Sequence, residues 1–556
     1  MSDSEPAKKA VWMLQGGPGF ASVGLEQAMT KLQRLLNGQA DVYTMDHRGT
    51  GRSHILECDA AQAFYSGSPG GAYIDYREVP NCVKDVLFQI DNHTNAFSVT
   101  SAAKDVELLV KTLNKDQETF VYGSSYGTDL TARVMHLAPA EVKGYVLDGV
   151  WSESIGSFAR FSSQRDEPGK YFASLCENNE VCKSKYAYGL EQHGDLFNAW
   201  RSTYDKLDEA AFGENECSDF LRGDTERLPS EVLRTVFSVG IAAGDTNSRH
   251  FIPAVFKMLD TCDAAAVEAL AALLKVKPGQ SVSELIKDAY KPPATFNRVT
   301  EASPLLMALI KASEMWTYPS PSWAEEKKAI EAGVFGSYSS NEFAWYCLLN
   351  GDMSDPSCDS LVDAGQDAEL QADLAQIEPV KFLYERDEYY RKVATVPAHA
   401  SVMVMNGKLD FQTIHSWAQD QYEKLVGRKL FVEFEFGPHC IALTPSTAGD
   451  TTDCGLRILS SYIEKGGDVE NVDTSCMTEM PDINFDVEAE LAQRIEAKKA
   501  AANATMTAHS GATRGKKVVQ SGKHSSNKKG KVTHHLGKRH VKHSAKSRGK
   551  KHHHKN

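Results

Sequence analysis

The stretch FVYGSSYGTDLTARVMHL, Phe120 to Leu137, constrains this chain more than any other. A short apolar run enters Gly123-Ser124-Ser125-Tyr126-Gly127 and a helix-forming run leaves it. A chain that turns from strand to helix this tightly needs glycine on both flanks, because side chains there would clash. The turn holds the central Ser125 in a strained conformation, with its hydroxyl above the edge of the sheet.

The surrounding pattern fits that turn. Val11–Leu14 is a short apolar run ending in Gly-Gly-Pro-Gly, and Leu25–Leu36 has helical spacing. Asp41–Met45 reads as a strand, and Ala102–Leu113 as a helix with Thr100 or Ser101 as its N-cap. Thr119–Tyr122 is a strand, Tyr126–His136 a helix and Gly144–Leu147 a strand. Residues 151–391 lose the alternation and read as mostly helical. It resumes with the strand Ala400–Met405, the helix Ile414–Leu425, the strand Leu430–Phe434 and the helix Gly455–Lys465. Strands separated by helices imply a parallel sheet with helices on both faces. The expected fold is therefore α/β: a core in two parts, 1–150 and 392–485, interrupted by a helical insertion at 151–391.

Serine at its free pKa is a weak nucleophile and needs a histidine base oriented by a carboxylate. Behind a G-x-S-x-G turn these follow in the order Ser, Asp, His. The strand ASVMVM runs into Asn406-Gly407-Lys408-Leu409-Asp410, and LFVEFE runs into Phe436-Gly437-Pro438-His439. Both segments place their polar residue past a strand's C-terminal end, at the same sheet edge as Ser125. The expected catalytic residues are Ser125, Asp410 and His439. Asp148, also at a strand end, reads as structural or capping; His415 reads as structural or cleft-lining, and His47 as packing near its turn. Acyl transfer also needs donors aimed at the developing oxyanion. The expected ones are the backbone N–H of Tyr126 and that of Gly17, with Gly16 as the alternative. No Gly-Lys-Ser/Thr follows the Gly-Gly-Pro-Gly loop, which excludes a phosphate-binding loop.

No uncharged apolar run approaches the roughly 18–20 residues that cross a bilayer. Lys498 to Asn556 holds 14 Lys, 3 Arg, 9 His and no acid. This tail carries +17, so the rest of the chain stands at −30 against −13 for the whole. A like-charged block with few large apolar residues is expected to be disordered, and its partner class is a polyanion. The 11 cysteines include the candidate pairs Cys176 with Cys182, Cys347 with Cys358 and Cys454 with Cys476, and leave Cys440 as a free thiol. With the sequons at Asn92 and Asn503 they point to an oxidising, secretory environment. MSDSEPAKKA, however, leads into only four apolar residues, too few for a signal peptide.

QGGPG at Gln15–Gly19, DHRGTGRS at Asp46–Ser53, YGSSYGTDL at Tyr122–Leu130, VLDGV at Val146–Val150, the Asp410 loop and His439 together resemble the prolyl and tripeptidyl aminopeptidase branch of the α/β-hydrolase serine peptidases. DCGLRILSSYIEKG and DTSCMTEMPDINF, with Cys454 and Cys476, are similar to the C-terminal segment of the tripeptidyl group. The resemblance covers the sheet domain well and the insertion poorly. It implies an α/β-hydrolase fold with a helical cap, cleavage of peptides from a free N-terminus through an acyl-enzyme, and no cofactor or metal. It also implies a negative wall in the cap for the substrate's ammonium group, for which Glu342 and Asp352 in NEFAWYCLLNGD are the candidates. Three departures stand out. Gln15 replaces the usual His, Pro438-His439-Cys440 replaces Gly-His-Gly, and only one strand precedes the Gly-Gly-Pro-Gly loop, where the family has more. An N-terminus that begins downstream of the family's is the expectation. The rival activities are an esterase, lipase or amidase with the same triad, or a non-catalytic polyanion-binding protein of this fold.

Overall fold

The computed structural model describes residues 7–58, 74–242, 246–289, 302–337, 341–358 and 376–500. The described residues up to Glu496 form one compact unit. The basic tail beyond residue 500, with Asn503, lies outside the described residues.

Six strands form one sheet: β1 (Lys9–Leu14), β2 (Ala40–Thr44), β3 (Glu118–Ser124), β4 (Val142–Asp148), β5 (Ser401–Gly407) and β6 (Lys429–Phe434). Their order is β2-β1-β3-β4-β5-β6, with every neighbour parallel. The register keeps the C-terminal ends in step. Leu14 lies opposite Gly123, Ser124 opposite Asp148, Asp148 opposite Met405, and Gly407 opposite Phe434. Everything that follows these strands emerges at one edge.

Side chains alternate faces along a strand, and a sheet buried on both sides therefore reads as a continuous apolar run. Val11, Met13, Phe120, Tyr122, Val146, Met403 and Met405 pack on one face with Leu32 of α1 (Glu26–Leu35) and with Leu456 and Leu459 of a C-terminal helix, Cys454–Glu464. Trp12, Leu14, Val121, Tyr145, Leu147, Val402 and Val404 face the other way. They meet Val106 of α2 (Val99–Leu113), Leu130 and Val134 of α3 (Tyr126–Leu137) and Trp417 of α4 (His415–Lys424). One correction concerns α2. Its N-cap is Ser98, whose Oγ accepts from Ser101 N–H, and Thr100 and Ser101 lie within the first turn. The Thr100 hydroxyl is instead engaged by Arg133 and Asp387.

The insertion between β4 and β5 is helical among its described residues. Its first part builds a separate core around Phe172, Trp200, Phe256 and Phe335, with the Trp200 and Phe256 rings stacked at 4.8 Å. Its later helices, Pro304–Ser313 and Asn341–Asn350, join the apolar core of the sheet instead. Disulfides join Cys176–Cys182, Cys347–Cys358 and Cys454–Cys476 as expected, and also Cys58–Cys82 and Cys217–Cys262; Cys440 is free and buried. Five disulfides are compatible with an oxidising compartment. No helix among the described residues is long and apolar enough to cross a membrane.

Candidate active site

Ser125 stands between β3 and α3 at φ 56° and ψ −127°, a conformation costly for any residue with a side chain. The surroundings impose it. Its N–H donates to the Asp148 carbonyl at 2.9 Å, and its carbonyl accepts from the Thr128 N–H at 2.8 Å and the Thr128 hydroxyl at 2.6 Å. The two flanking glycines are packing requirements. A Cβ on Gly123 would meet the Gly127 carbonyl oxygen at 2.0 Å, and one on Gly127 would meet the Leu14 carbonyl oxygen at 2.4 Å.

Asp410, fully buried past the end of β5, accepts four hydrogen bonds. The N–H groups of Gln412 and Thr413 reach Oδ1 at 2.8 and 2.9 Å, and the Thr413 hydroxyl and His439 Nδ1 reach Oδ2 at 2.8 Å each. These fix the carboxylate, and the carboxylate fixes the ring. With Nδ1 carrying the proton, His439 Nε2 is the basic nitrogen. Burial works against charging the ring, but the Asp410 carboxylate holds its pKa well above the ordinary 6.5. Leu409 and Phe411, on either side of Asp410, are buried in the core of the insertion, and the Phe411 ring packs edge-on to Phe335 at 5.6 Å. Ser125 Oγ makes no hydrogen bond among the described residues, and such contacts commonly close only when substrate is bound.

The Gly-Gly-Pro-Gly loop lies directly over the serine. A Cβ on Gly16 would stand 2.7 Å from Ser125 Cβ and 3.3 Å from its Oγ. The Gly16 N–H is taken by the side-chain oxygen of Gln15 at 2.8 Å. The N–H groups of Gly17 and Tyr126 donate to no acceptor among the described residues, which leaves them available to an oxyanion.

Asp148 proves to be more than a strand cap. Its buried carboxylate accepts the N–H groups of Ile441 at 2.8 Å and Ala442 at 2.9 Å, and the Tyr122 hydroxyl at 2.8 Å. It therefore anchors the loop just past His439. Burial pushes its pKa up to about 6, against those hydrogen bonds, which pull it down. Cys440 sits at φ 57°, in the left-handed region that explains why glycine is the usual residue there. Its thiol is within 3.6 Å of the Asp148 carbonyl, and burial pushes its pKa up, so it stays protonated.

The remaining sites fall elsewhere. His47 is buried beside the Tyr126 ring, at 5.8 Å, and desolvation pushes its pKa down to about 4, so it is neutral. His415 lies 2.8 Å from a Glu433 oxygen. Glu342 is ion-paired with Lys311 at 2.7 Å. Asp352 accepts from the N–H and hydroxyl of Ser354 and lines a groove with Tyr318, Tyr346 and Lys381, which none of the three expected catalytic residues lines. Sequence reasoning missed Thr413, Arg249 and the two further disulfides. Thr413 donates to Asp410 three residues earlier in the same loop, whereas the partners of Arg249 are carbonyls of a loop far along the chain, which nothing in SRHF marks.

Residues 9–174 match the family model described as alpha/beta hydrolase fold. This match, the six-stranded parallel sheet among the described residues and the serine at its strand–helix turn define the class: the chain has the alpha/beta hydrolase fold, a hydrolase scaffold. Three solved structures are similar at low identity. The proline iminopeptidase of Mycobacterium smegmatis is 11% identical, with 84% of this chain and 92% of that chain covered and a TM-score of 0.29. A thermophilic esterase of Thermogutta terrifontis is 9% identical, with 83% and 91% covered and a TM-score of 0.30. A monoacylglycerol lipase of Paleococcus ferrophilus is 14% identical, with 83% and 96% covered and a TM-score of 0.27. At these values the likenesses do not bear on substrate. No curated protein matches the chain.

Proposed function

We propose that this protein is a serine hydrolase working through an acyl-enzyme, with peptides bearing a free N-terminus as its substrates. The observation that carries the reading is the Asp410 Oδ2 to His439 Nδ1 contact of 2.8 Å, at the same sheet edge as a serine held at φ 56°. His439 Nε2 takes the Ser125 proton as Oγ attacks the scissile carbonyl. The Gly17 and Tyr126 N–H groups stabilise the oxyanion, a contribution of about 10²–10³ in rate for one donor. Protonated His439 then donates to the leaving amine, afterwards draws a proton from water as the water attacks the ester, and returns it to Ser125 Oγ as the acyl bond breaks. The Asp410 carboxylate orients the ring and stabilises the imidazolium throughout.

The peptidase assignment, tripeptidyl in particular, rests on the QGGPG, DHRGTGRS and Cys454–Cys476 segments, whose combination resembles that branch. The test begins with a fluorescent fluorophosphonate. Wild type should label and Ser125→Ala should not; a folded wild type that does not label would remove the acyl-enzyme reading. Peptidyl-coumarin substrates with free and blocked amino ends, set against p-nitrophenyl esters, then separate peptidase from esterase. Turnover that ignores the blocking group refutes the N-terminal specificity.

A further inference from the structure

Among the described residues, Arg249 is the one cation of the insertion that hydrogen-bonds to the loop of the proposed base, and it does so without a carboxylate partner. It lies at the start of the short helix Arg249–Phe251, 5% exposed, and forms no ion pair among the described residues. Its Nη2 donates to the Phe436 carbonyl at 2.5 Å and to the Ser446 carbonyl. Those two carbonyls bracket the segment Gly437-Pro438-His439-Cys440-Ile441-Ala442. The loop is thus tied together at its base by a guanidinium from the insertion and held near its tip by the Asp148 carboxylate from the sheet.

The loop has reason to need external ties. Pro438 offers no N–H, and Cys440 occupies a left-handed conformation that a side chain disfavours. A buried charge is costly unless it is well hydrogen-bonded, and a guanidinium offers donors in a fixed fork where a lysine offers a single point. Burial lowers the Arg249 pKa to about 9, so it remains charged at neutral pH. The neighbouring Asp410 loop is bound to the same assembly. The Leu409 N–H donates to the Gly437 carbonyl at 3.1 Å, and Leu409 and Phe411 are buried in the core of the insertion.

We infer that Arg249 is a positioning residue for the hydrolytic reaction: by bridging Phe436 and Ser446 it holds the His439 loop in place for proton transfer, and so makes the base dependent on the docked insertion. This rests on the serine-hydrolase reading above. It assigns the insertion a part in the chemistry separate from substrate selection.

The experiment measures the second-order rate of fluorophosphonate labelling in the full chain for wild type, Arg249→Met and Arg249→Lys. Denaturation midpoints and the far-downfield proton resonance of the His439–Asp410 pair are recorded alongside. Methionine fills the space but leaves both carbonyls without a donor. A displacement of about 1 Å at the base costs about 10²-fold, so the folded methionine variant should label about 100-fold more slowly and lose the resonance. The lysine ammonium ends one bond short of Nη2 and should recover part of that rate. An arginine that served stability alone would lower the denaturation midpoint and leave the labelling rate of the folded protein, and the resonance, at wild-type values. That outcome overturns the inference. Should the methionine variant not fold, the lysine variant decides: full-rate labelling with an unchanged resonance overturns the inference, and slowed labelling supports it. A folded wild type that does not label sinks the hydrolase reading, and the inference with it, a failure distinct from a labelled wild type matched by its variants.

Discussion

Replacing Asp148 by Asn tests whether the proposed base, His439, is held by a charge that the fold tolerates rather than needs. The ionised carboxylate accepts Ile441 N–H on Oδ1, and Ala442 N–H and the Tyr122 hydroxyl on Oδ2. Asparagine keeps the shape but turns one oxygen into a donor, so one of the two N–H groups loses its acceptor at about 1–3 kcal/mol. Against that, burial raises the Asp148 pKa from 3.8 to about 6, which means the ionised form costs the fold about 3 kcal/mol above pH 6. The neutral amide avoids this cost. The two terms nearly cancel, and the stability of Asp148→Asn at pH 7 should lie within about 2 kcal/mol of wild type, a few degrees of Tm at most. Activity should not cancel. His439 is two or three residues from the freed N–H, and the labelling rate or kcat/KM should fall by about 10–10²-fold. The linkage has a definite sign. A carboxyl whose folded pKa is raised gains stability as the pH falls through 6 toward 3.8. Wild type should therefore gain Tm on the variant between pH 7 and pH 5. Calorimetry at both pH values with labelling kinetics decides the matter. An unchanged labelling rate, or a loss that merely tracks the unfolded fraction, would refute the reasoning.

Three further outcomes are expected. His439 must be neutral to act as a base, and its raised pKa places the acid limb of kcat/KM above pH 6.5; Asp410→Asn should move that limb to lower pH while lowering kcat by about 10⁴-fold, read from full pH–rate profiles. Cys440→Gly should keep labelling and stability, since relief of the φ 57° strain offsets the lost thiol packing, whereas a β-branched Cys440→Val should lower the denaturation midpoint by at least about 1–2 kcal/mol. Opening Cys217–Cys262 by a double serine substitution, which frees a loop spanning 45 residues, should cost about 4 kcal/mol in chemical denaturation on the chain-entropy account.

Local pattern was sufficient for much of this molecule. Apolar runs ending in glycine or in an isolated acid mark β1, β3, β4 and β5, because a strand buried on both faces has nowhere for a polar residue until it leaves the sheet. The strand–turn–helix around Ser125 is legible because only glycine fits at 123 and 127. Parallel strands ending in step then carry Ser125, Asp410 and His439 to one edge, which their places after those strands imply. What the sequence left open are contacts between segments far apart in the chain. Asp148 reads as a strand cap until Ile441 and Ala442 are seen to close on it, 293 and 294 residues away. Glu342 reads as a candidate for the substrate's ammonium group until Lys311 is seen against it. Arg249 carries no local mark at all, since its partners are backbone carbonyls, which every residue has, and only the docking of the insertion brings Phe436 and Ser446 to its guanidinium. Short-range sterics and periodicity fixed which residues stand at the edge of the sheet; tertiary packing decided what holds them there, because a buried charge is satisfied by whatever group the fold brings within about 3 Å.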